Sequence, residues 1–153
     1  MNFARLLQWT ERPRDWLRAA AHLVDLGIRL YVADAFFRAG LVKVRNWDGT
    51  LFLFESEYHV PLLPPELAAY LGTFGELAFP PLLALGVASR FSALSLSIVN
   101  LVAVVSFWHV LKDNEAAFAQ HVFWGTLLLV TLCHGPGNLS ADHWIRRRWL
   151  AAP

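Results

Sequence analysis

The sequence predicts an all-α fold, a four-transmembrane-helix bundle with an aromatic-rich extracytoplasmic loop between helices 1 and 2. The segments from Phe91 to Val110 and from Ala116 to Ala141 contain no Lys, Arg, Asp or Glu. A helix that rises about 1.5 Å per residue needs about 20 apolar residues to cross a hydrocarbon core of about 30 Å. The composition agrees, because 56% of the residues are hydrophobic and 16% are charged. Soluble domains carry about 25% charged residues, so we expect the lipid bilayer to surround this chain.

Two further spans precede these segments and are less uniform. The first, from His22 to Val44, carries five charged residues among apolar ones: Asp25, Arg29, Asp34, Arg38 and Lys43. Beside three apolar spans, a helix buried against the others is the favoured interpretation. The second span, from Glu66 to Ser89, is apolar apart from Glu66 itself and Glu76 near its centre, and its two adjacent prolines are expected to bend it.

Short turns separate the predicted spans. The segment from Gly86 to Arg90 lies between spans two and three, and Lys112 to Glu115 lies between spans three and four. The last span is closed by His134 to Ser140, whose Gly-Pro-Gly sequence breaks helices. The predicted organisation is an N-terminal segment at 1–21, a membrane domain at 22–141 and a basic tail at 142–153. For 1–21 we expect no cleavable signal peptide, and both a surface-lying segment and a disordered tail remain open.

Arginine and lysine are distributed unequally between the two sides of this topology. Eight lie on the side of the two termini: Arg5, Arg12, Arg14, Arg18, Arg90, Arg146, Arg147 and Arg148. Three lie on the other side: Lys43, Arg45 and Lys112. Because cytoplasmic loops are enriched in these residues, both termini are predicted to face the cytoplasm of a bacterial inner membrane. The connection from Arg45 to Pro65 then faces outward, and its aromatic residues fit a cap at the interface.

Ionisable residues inside the spans are candidate functional residues, since each costs a few kcal/mol or more at mid-bilayer. The candidates for binding a cofactor are Glu76, Asp34, Arg38, Arg29 and Asn100. Asp34 and Arg38 are four residues apart and can pair on one helix face. Glu76 is expected either to pair with Arg38 or Arg29 or to be protonated. A polar pocket that binds a redox headgroup or relays protons, and a charge network that only holds the helices together, both remain open.

Three histidines fall near the predicted outer face: His59, His109 and His121. Imidazoles at one level are typical of a Cu(II) or Zn site, so these three are the candidate metal ligands. Interfacial histidines without a metal are also common, and this interpretation stays open.

Rare residue types argue against several other redox sites. Cys133 is the only cysteine, which excludes an intramolecular disulfide and a dithiol relay. Met1 is the only methionine, which argues against a Cu(I) path of soft sulfur ligands. We find no haem, flavin or nucleotide motif, and a net charge of +1 gives no reason to expect a nucleic-acid partner.

The sequence resembles the DoxX family of small four-helix membrane proteins, over roughly Leu26 to Leu139. The first matching pattern, a phenylalanine followed by a glycine and a lysine in helix 1, is carried by Phe37, Gly40 and Lys43. The second, a "GE" followed by "LlLGl.tR", is carried by Gly75, Glu76, Leu85, Gly86 and Arg90. A narrower resemblance, in Trp47 to Pro65, His121 to Trp124 and His134 to Asp142, is to the DoxX-type protein of bufferin-like clusters, which encode copper-responsive modified peptides.

The resemblance implies a redox-associated role in the inner membrane, since some DoxX relatives are the small membrane subunit of a thiosulfate:quinone oxidoreductase. The first hypothesis is an auxiliary redox component that binds quinone between helices 1 and 2 and receives electrons from a protein partner. The second is a non-enzymatic membrane partner for anchoring, maturation or export of a copper-binding peptide. The third is a small-solute permease, which would require a homodimer because four helices leave little room for a path. The sequence leaves open whether the chain is an enzyme.

Overall fold

The computed structural model describes residues 14–150, and within that range it contains helices and no strand. The predicted all-α class is therefore confirmed. In this described part of the chain, seven α-helices are followed by a π-helical turn at Arg146–Leu150: α1 Arg14–Arg45, α2 Trp47–Ser56, α3 Pro65–Leu85, α4 Ser89–Ser106, α5 Trp108–Leu111, α6 Glu115–His134 and α7 Ala141–Ile145.

Three of the helices, α3, α4 and α6, are long and apolar enough to cross a membrane. They correspond to the predicted spans two, three and four. The first predicted span lies in α1, which has 32 residues and already begins at Arg14. Residues 14–21 of the predicted N-terminal segment are therefore helical, and residues 1–13 lie outside the described part of the chain.

The structure ends the third span earlier than predicted and ends the fourth span where the sequence predicted it to close. The third span was predicted to run to Val110, but α4 ends at Ser106, and the non-helical ψ of 20° at Phe107 separates it from α5. The fourth span was predicted to be closed by His134 to Ser140, and α6 does end at His134, where Gly135 adopts a φ of 85°, which favours glycine. By contrast α3 continues through Pro80 and Pro81, so the two prolines do not end that helix.

The long helices form a bundle in which α1 packs against α3 and α6, and α4 packs between α3 and α6. The main core consists of Val32, Phe36, Leu83, Ala93, Leu96 and Leu128. A second core joins α2 to the start of α3 through Phe54, Ala68 and Ala69. The connection predicted as an aromatic loop thus contains a helix that packs on the bundle, with the Trp47 ring 4.7 Å from that of Tyr70.

One end of the bundle is held together by polar contacts between distant parts of the chain. Arg29 is fully buried, and its guanidinium donates to the carbonyl oxygens of Leu83 at 3.2 Å and Ala84 at 2.9 Å, and to that of Leu139. The last carbonyls of a helix have no intrahelical donor, so this arginine satisfies the end of α3. Arg29 therefore has a role in packing the bundle.

The N-terminus of α4 is capped from the other end of the sequence. The Asp142 carboxylate accepts hydrogen bonds of 2.8 Å from the N–H of Ala88, the N–H of Ser89 and the Ser89 hydroxyl. Burial alone would raise the pKa of Asp142, but these donors and the charge of Arg146 together lower it below its ordinary value. The carboxylate supplies the cap that α4 lacks locally, because Ala88 at the N-cap has no side-chain acceptor.

Candidate functional site

A cavity of about 480 Å³ lies between α1, α3, α4 and α6. It is bounded on one side by Phe54 of α2 and by Tyr58, Val60 and Leu63 of the segment that follows. Most of its lining is apolar, and several helical positions that face it carry residues with almost no side chain: Ala35, Ala39, Ala68, Gly72 and Ala103. These short side chains leave the space that larger residues would fill.

An ion pair between α1 and α3 forms one wall of the cavity. The Lys43 ammonium lies 2.8 Å and 2.6 Å from the two carboxylate oxygens of Glu76, and the side chains are only 20% and 11% exposed. Gly40, one turn before Lys43, explains why the helices come so close. A Cβ at Gly40 would lie 2.8 Å from the Leu77 side chain and 3.0 Å from the Cβ of Glu76.

The expectation that Glu76 pairs with Arg38 or Arg29 is therefore wrong. Its partner is Lys43, because α1 turns the face with Gly40 and Lys43 towards α3. Arg29 lies on the carbonyls at the end of α3 and does not line the cavity. Asp34 and Arg38 pair with each other as predicted, at 2.8 Å, but their side chains are 59% and 75% exposed on the outside of α1. The structure thus brings Glu76 and Asn100 to the cavity and leaves the other three candidates outside it.

The opposite wall is formed by Asn100 of α4 and His121 of α6, which are joined by two hydrogen bonds. The Asn100 amide Nδ2 donates to the carbonyl oxygen of His121 at 3.0 Å, and its Oδ1 lies 2.8 Å from the His121 Nδ1. Gly125, one turn after His121, gives the amide room, since a Cβ there would lie 3.3 Å from Nδ2. The His121 ring meets the Trp124 ring edge-on at 5.3 Å.

The three histidines predicted as metal ligands are not brought together. The rings of His59 and His109 are 5.3 Å apart, and His109 Nε2 lies 3.5 Å from Glu57. His121 instead faces Asn100 inside the bundle, because it lies in the second turn of α6 on the side that packs against α4. Among the side chains that the structure describes, no group of three or more His, Cys, Asp or Glu is placed to hold a metal ion.

Lys43 and Tyr58 line the cavity but were not among the predicted site residues. Lys43 belongs to the pattern shared with Gly40, but nothing in its local sequence indicates a partner 33 positions away. The Tyr58 ring packs between those of Phe54 and Phe107, each 4.9 Å away. Burial, followed by the charges of Glu76 and Glu57, raises the pKa of Tyr58, so its hydroxyl stays a neutral donor.

The comparison with known families shows which family the chain belongs to. The family model described as DoxX matches residues 24–109. The chain belongs to the DoxX family. The match includes Lys43, Glu76 and Asn100, whereas His121 lies beyond its end. Together with the three apolar helices, DoxX membership makes this a membrane protein.

A similar protein is known from Haemophilus influenzae (strain ATCC 51907 / DSM 11121 / KW20 / Rd). It is 33% identical over 130 residues, which cover 78% of this chain and 82% of that protein, and its description reads "Uncharacterized protein". No solved structure matches the chain significantly.

Proposed function

We propose that this DoxX-family protein crosses the bacterial inner membrane four times, with both termini in the cytoplasm. In this topology α1 is the first span, in addition to α3, α4 and α6. Two of the five charged residues in the predicted first span, Arg29 and Lys43, have partners inside the bundle. Because Lys43 is directed into the cavity, only Arg45 and Lys112 remain as basic residues at the proposed outer side. The excess of arginine at the other end supports this orientation. The aromatic α2 then covers the outer end of the bundle.

In this membrane setting we propose that the protein is an auxiliary redox component that binds a quinone. The observation that carries the proposal is the cavity of about 480 Å³ between the helices. Small-molecule sites are typically about 300–1,000 Å³ in volume, mostly apolar, and contain a few convergent polar groups. An apolar wall suits the ring and the first part of an isoprenoid tail.

The polar groups of the cavity can contact the two ring oxygens of a quinone or of its reduced form. On the wall between α1 and α3, the Lys43 ammonium can donate to a ring oxygen while Glu76 balances its charge. Glu76 can also accept a hydrogen bond from a ring hydroxyl. On the wall between α4 and α6, the Asn100–His121 pair faces the same space. Placing polar groups on both walls would orient the ring across the cavity.

A protein partner is needed to supply the electrons, because the sequence contains a single cysteine and no recognised haem or flavin motif. The chain would then provide the binding site and the proton-exchanging groups, and the partner would provide the redox centre. Copper handling is the weaker candidate, since on the proposed outer side the structure pairs only His59 with His109.

The proposal is tested by filling the cavity from a position that tolerates a side chain. A Cβ at Gly72, which lines the cavity, would meet only Phe54 Cζ at 3.6 Å, an ordinary contact. Gly72→Leu should therefore fold and displace the ligand. The matched control is Gly27→Leu on the outside of α1, where a Cβ would meet nothing within 4 Å.

The measurement is the molar ratio of quinone to protein, by mass spectrometry of solvent extracts after purification in a mild detergent. We expect nearly one quinone per chain in the wild type and in Gly27→Leu, and a large loss in Gly72→Leu. A wild-type protein that neither retains quinone nor binds added quinone would overturn the proposal, as would unchanged retention in Gly72→Leu.

A further inference from the structure

The orientation of the Asn100 amide determines which nitrogen of His121 carries a proton. Nδ2 donates to the carbonyl oxygen of His121 at 3.0 Å. If the amide were flipped, its oxygen would face that carbonyl oxygen, and two acceptors would meet. The Asn100 oxygen therefore lies on the imidazole side, 2.8 Å from Nδ1. Because an amide oxygen only accepts, Nδ1 must donate.

A neutral imidazole that is protonated on Nδ1 has an unprotonated Nε2, which is a hydrogen-bond acceptor. His121 lines the cavity. Among the side chains that the structure describes, the His121 ring forms one hydrogen bond, through Nδ1 to Asn100, which leaves Nε2 to accept from a ligand in the cavity. The wall between α4 and α6 therefore presents an acceptor to whatever occupies the cavity.

We infer that the cavity selects a ligand that carries an aromatic hydroxyl, so that a hydroquinone or a phenol binds more tightly than an oxidised quinone. This inference rests on the proposed quinone site. An oxidised quinone has only acceptors and would place a carbonyl oxygen against the Nε2 lone pair. A ring hydroxyl would instead donate to Nε2. The wall with Lys43 and Glu76 provides both a donor and an acceptor, so it accommodates either redox state.

His121 is thus a specificity-determining residue, and Asn100 is a positioning residue that acts through it. A ring hydroxyl would pair with Nε2 of His121, whereas a quinone oxygen would leave this acceptor unpaired. The difference corresponds to about a tenfold to a hundredfold difference in dissociation constant. Tighter binding of the reduced form raises the midpoint potential of the bound couple. For a two-electron couple, a tenfold ratio corresponds to about 30 mV.

The test uses the full chain in nanodiscs of quinone-free lipid, without oxygen. Three probes are titrated: a short-chain ubiquinol, the matching ubiquinone and the monomethyl ether of the hydroquinone, which keeps one hydroxyl and is not redox-cycled. We expect the quinol and the monomethyl ether to bind about tenfold or more tighter than the quinone. His121→Phe should bind both redox forms with a ratio near one, and Asp34→Asn, outside the cavity, should keep the wild-type ratio.

Nitrogen NMR of isotope-labelled protein provides a second readout, and its deciding measurement is made on the wild type. We expect an unprotonated Nε2 in the wild type without ligand, and loss of this fixed tautomer in Asn100→Leu. A protonated Nε2 in the ligand-free wild type would overturn the inference. So would equal or tighter binding of the quinone, or a preference for quinol that persists in His121→Phe, and in these cases the quinone site itself would stand. Absence of binding by all three probes would overturn both proposals.

Discussion

Replacing one partner of the ion pair between Lys43 and Glu76 should lower the free energy of unfolding more than the same change in any other ion pair of the described residues. The two side chains are only 20% and 11% exposed, and both carboxylate oxygens bind the ammonium. Removing one partner of a buried pair leaves an uncompensated charge and costs about 3–5 kcal/mol. Lys43→Met and Glu76→Met should each lower the free energy of unfolding by about that amount.

The double variant distinguishes this explanation from a general loss of packing. Methionine is similar in size to both residues, so Lys43→Met combined with Glu76→Met leaves neither a buried charge nor a large void. We expect it to be more stable than either single variant. Glu57→Gln is the control, because Glu57 contacts His109 at 3.5 Å with both side chains 45% exposed. A pair at the surface contributes about 0–1 kcal/mol, so this change should be small.

The assay is equilibrium unfolding in mixed micelles with increasing dodecyl sulfate, followed by circular dichroism and tryptophan fluorescence. The reasoning would be refuted if both single variants stayed within about 1 kcal/mol of the wild type, the range of a surface pair. It would also fail if the effects of the two substitutions simply added.

Two further predictions concern the contacts that hold the helices in place. Gly40→Ala should destabilise the protein by about 1–3 kcal/mol, because its Cβ would lie 3.0 Å or less from α3; Gly27→Ala, in open space, is the control in the same unfolding assay. Asp142→Asn should cost about 0.5–2 kcal/mol at neutral pH through the weakened cap of α4. Because the pKa of Asp142 is lower in the folded protein, its contribution is present above the carboxyl pKa of the unfolded chain. It is lost as the pH falls through the lowered folded-state pKa, so the stability difference between Asp142→Asn and the wild type should shrink in acid. A difference that stays constant with pH would contradict this account.

Local features of the sequence were sufficient to predict the helices and several of their ends. Long apolar segments correspond to α3, α4 and α6, and the turn around Gly86 lies where its glycine predicted it, with a φ of 71°. The i, i+4 spacing of Asp34 and Arg38 was enough to predict their pairing, because residues four apart on a helix are neighbours whatever surrounds them. The pattern with Gly40 and Lys43 supported the family assignment without indicating what either residue contacts.

Only the tertiary structure decided which residues form the site. Glu76 meets Lys43 rather than Arg38 or Arg29, and His121 faces Asn100 rather than His59 and His109. These pairs are separated by 33 and 21 positions, and each depends on how far a helix is rotated about its own axis. That rotation is set by the packing of all the neighbouring side chains together, and a rotation by one residue, about 100°, would exchange the buried face for another. Local composition therefore determined that this chain forms apolar helices, and the packing between them determined that a cavity with an ion pair on one wall and an oriented histidine on the other lies at their centre.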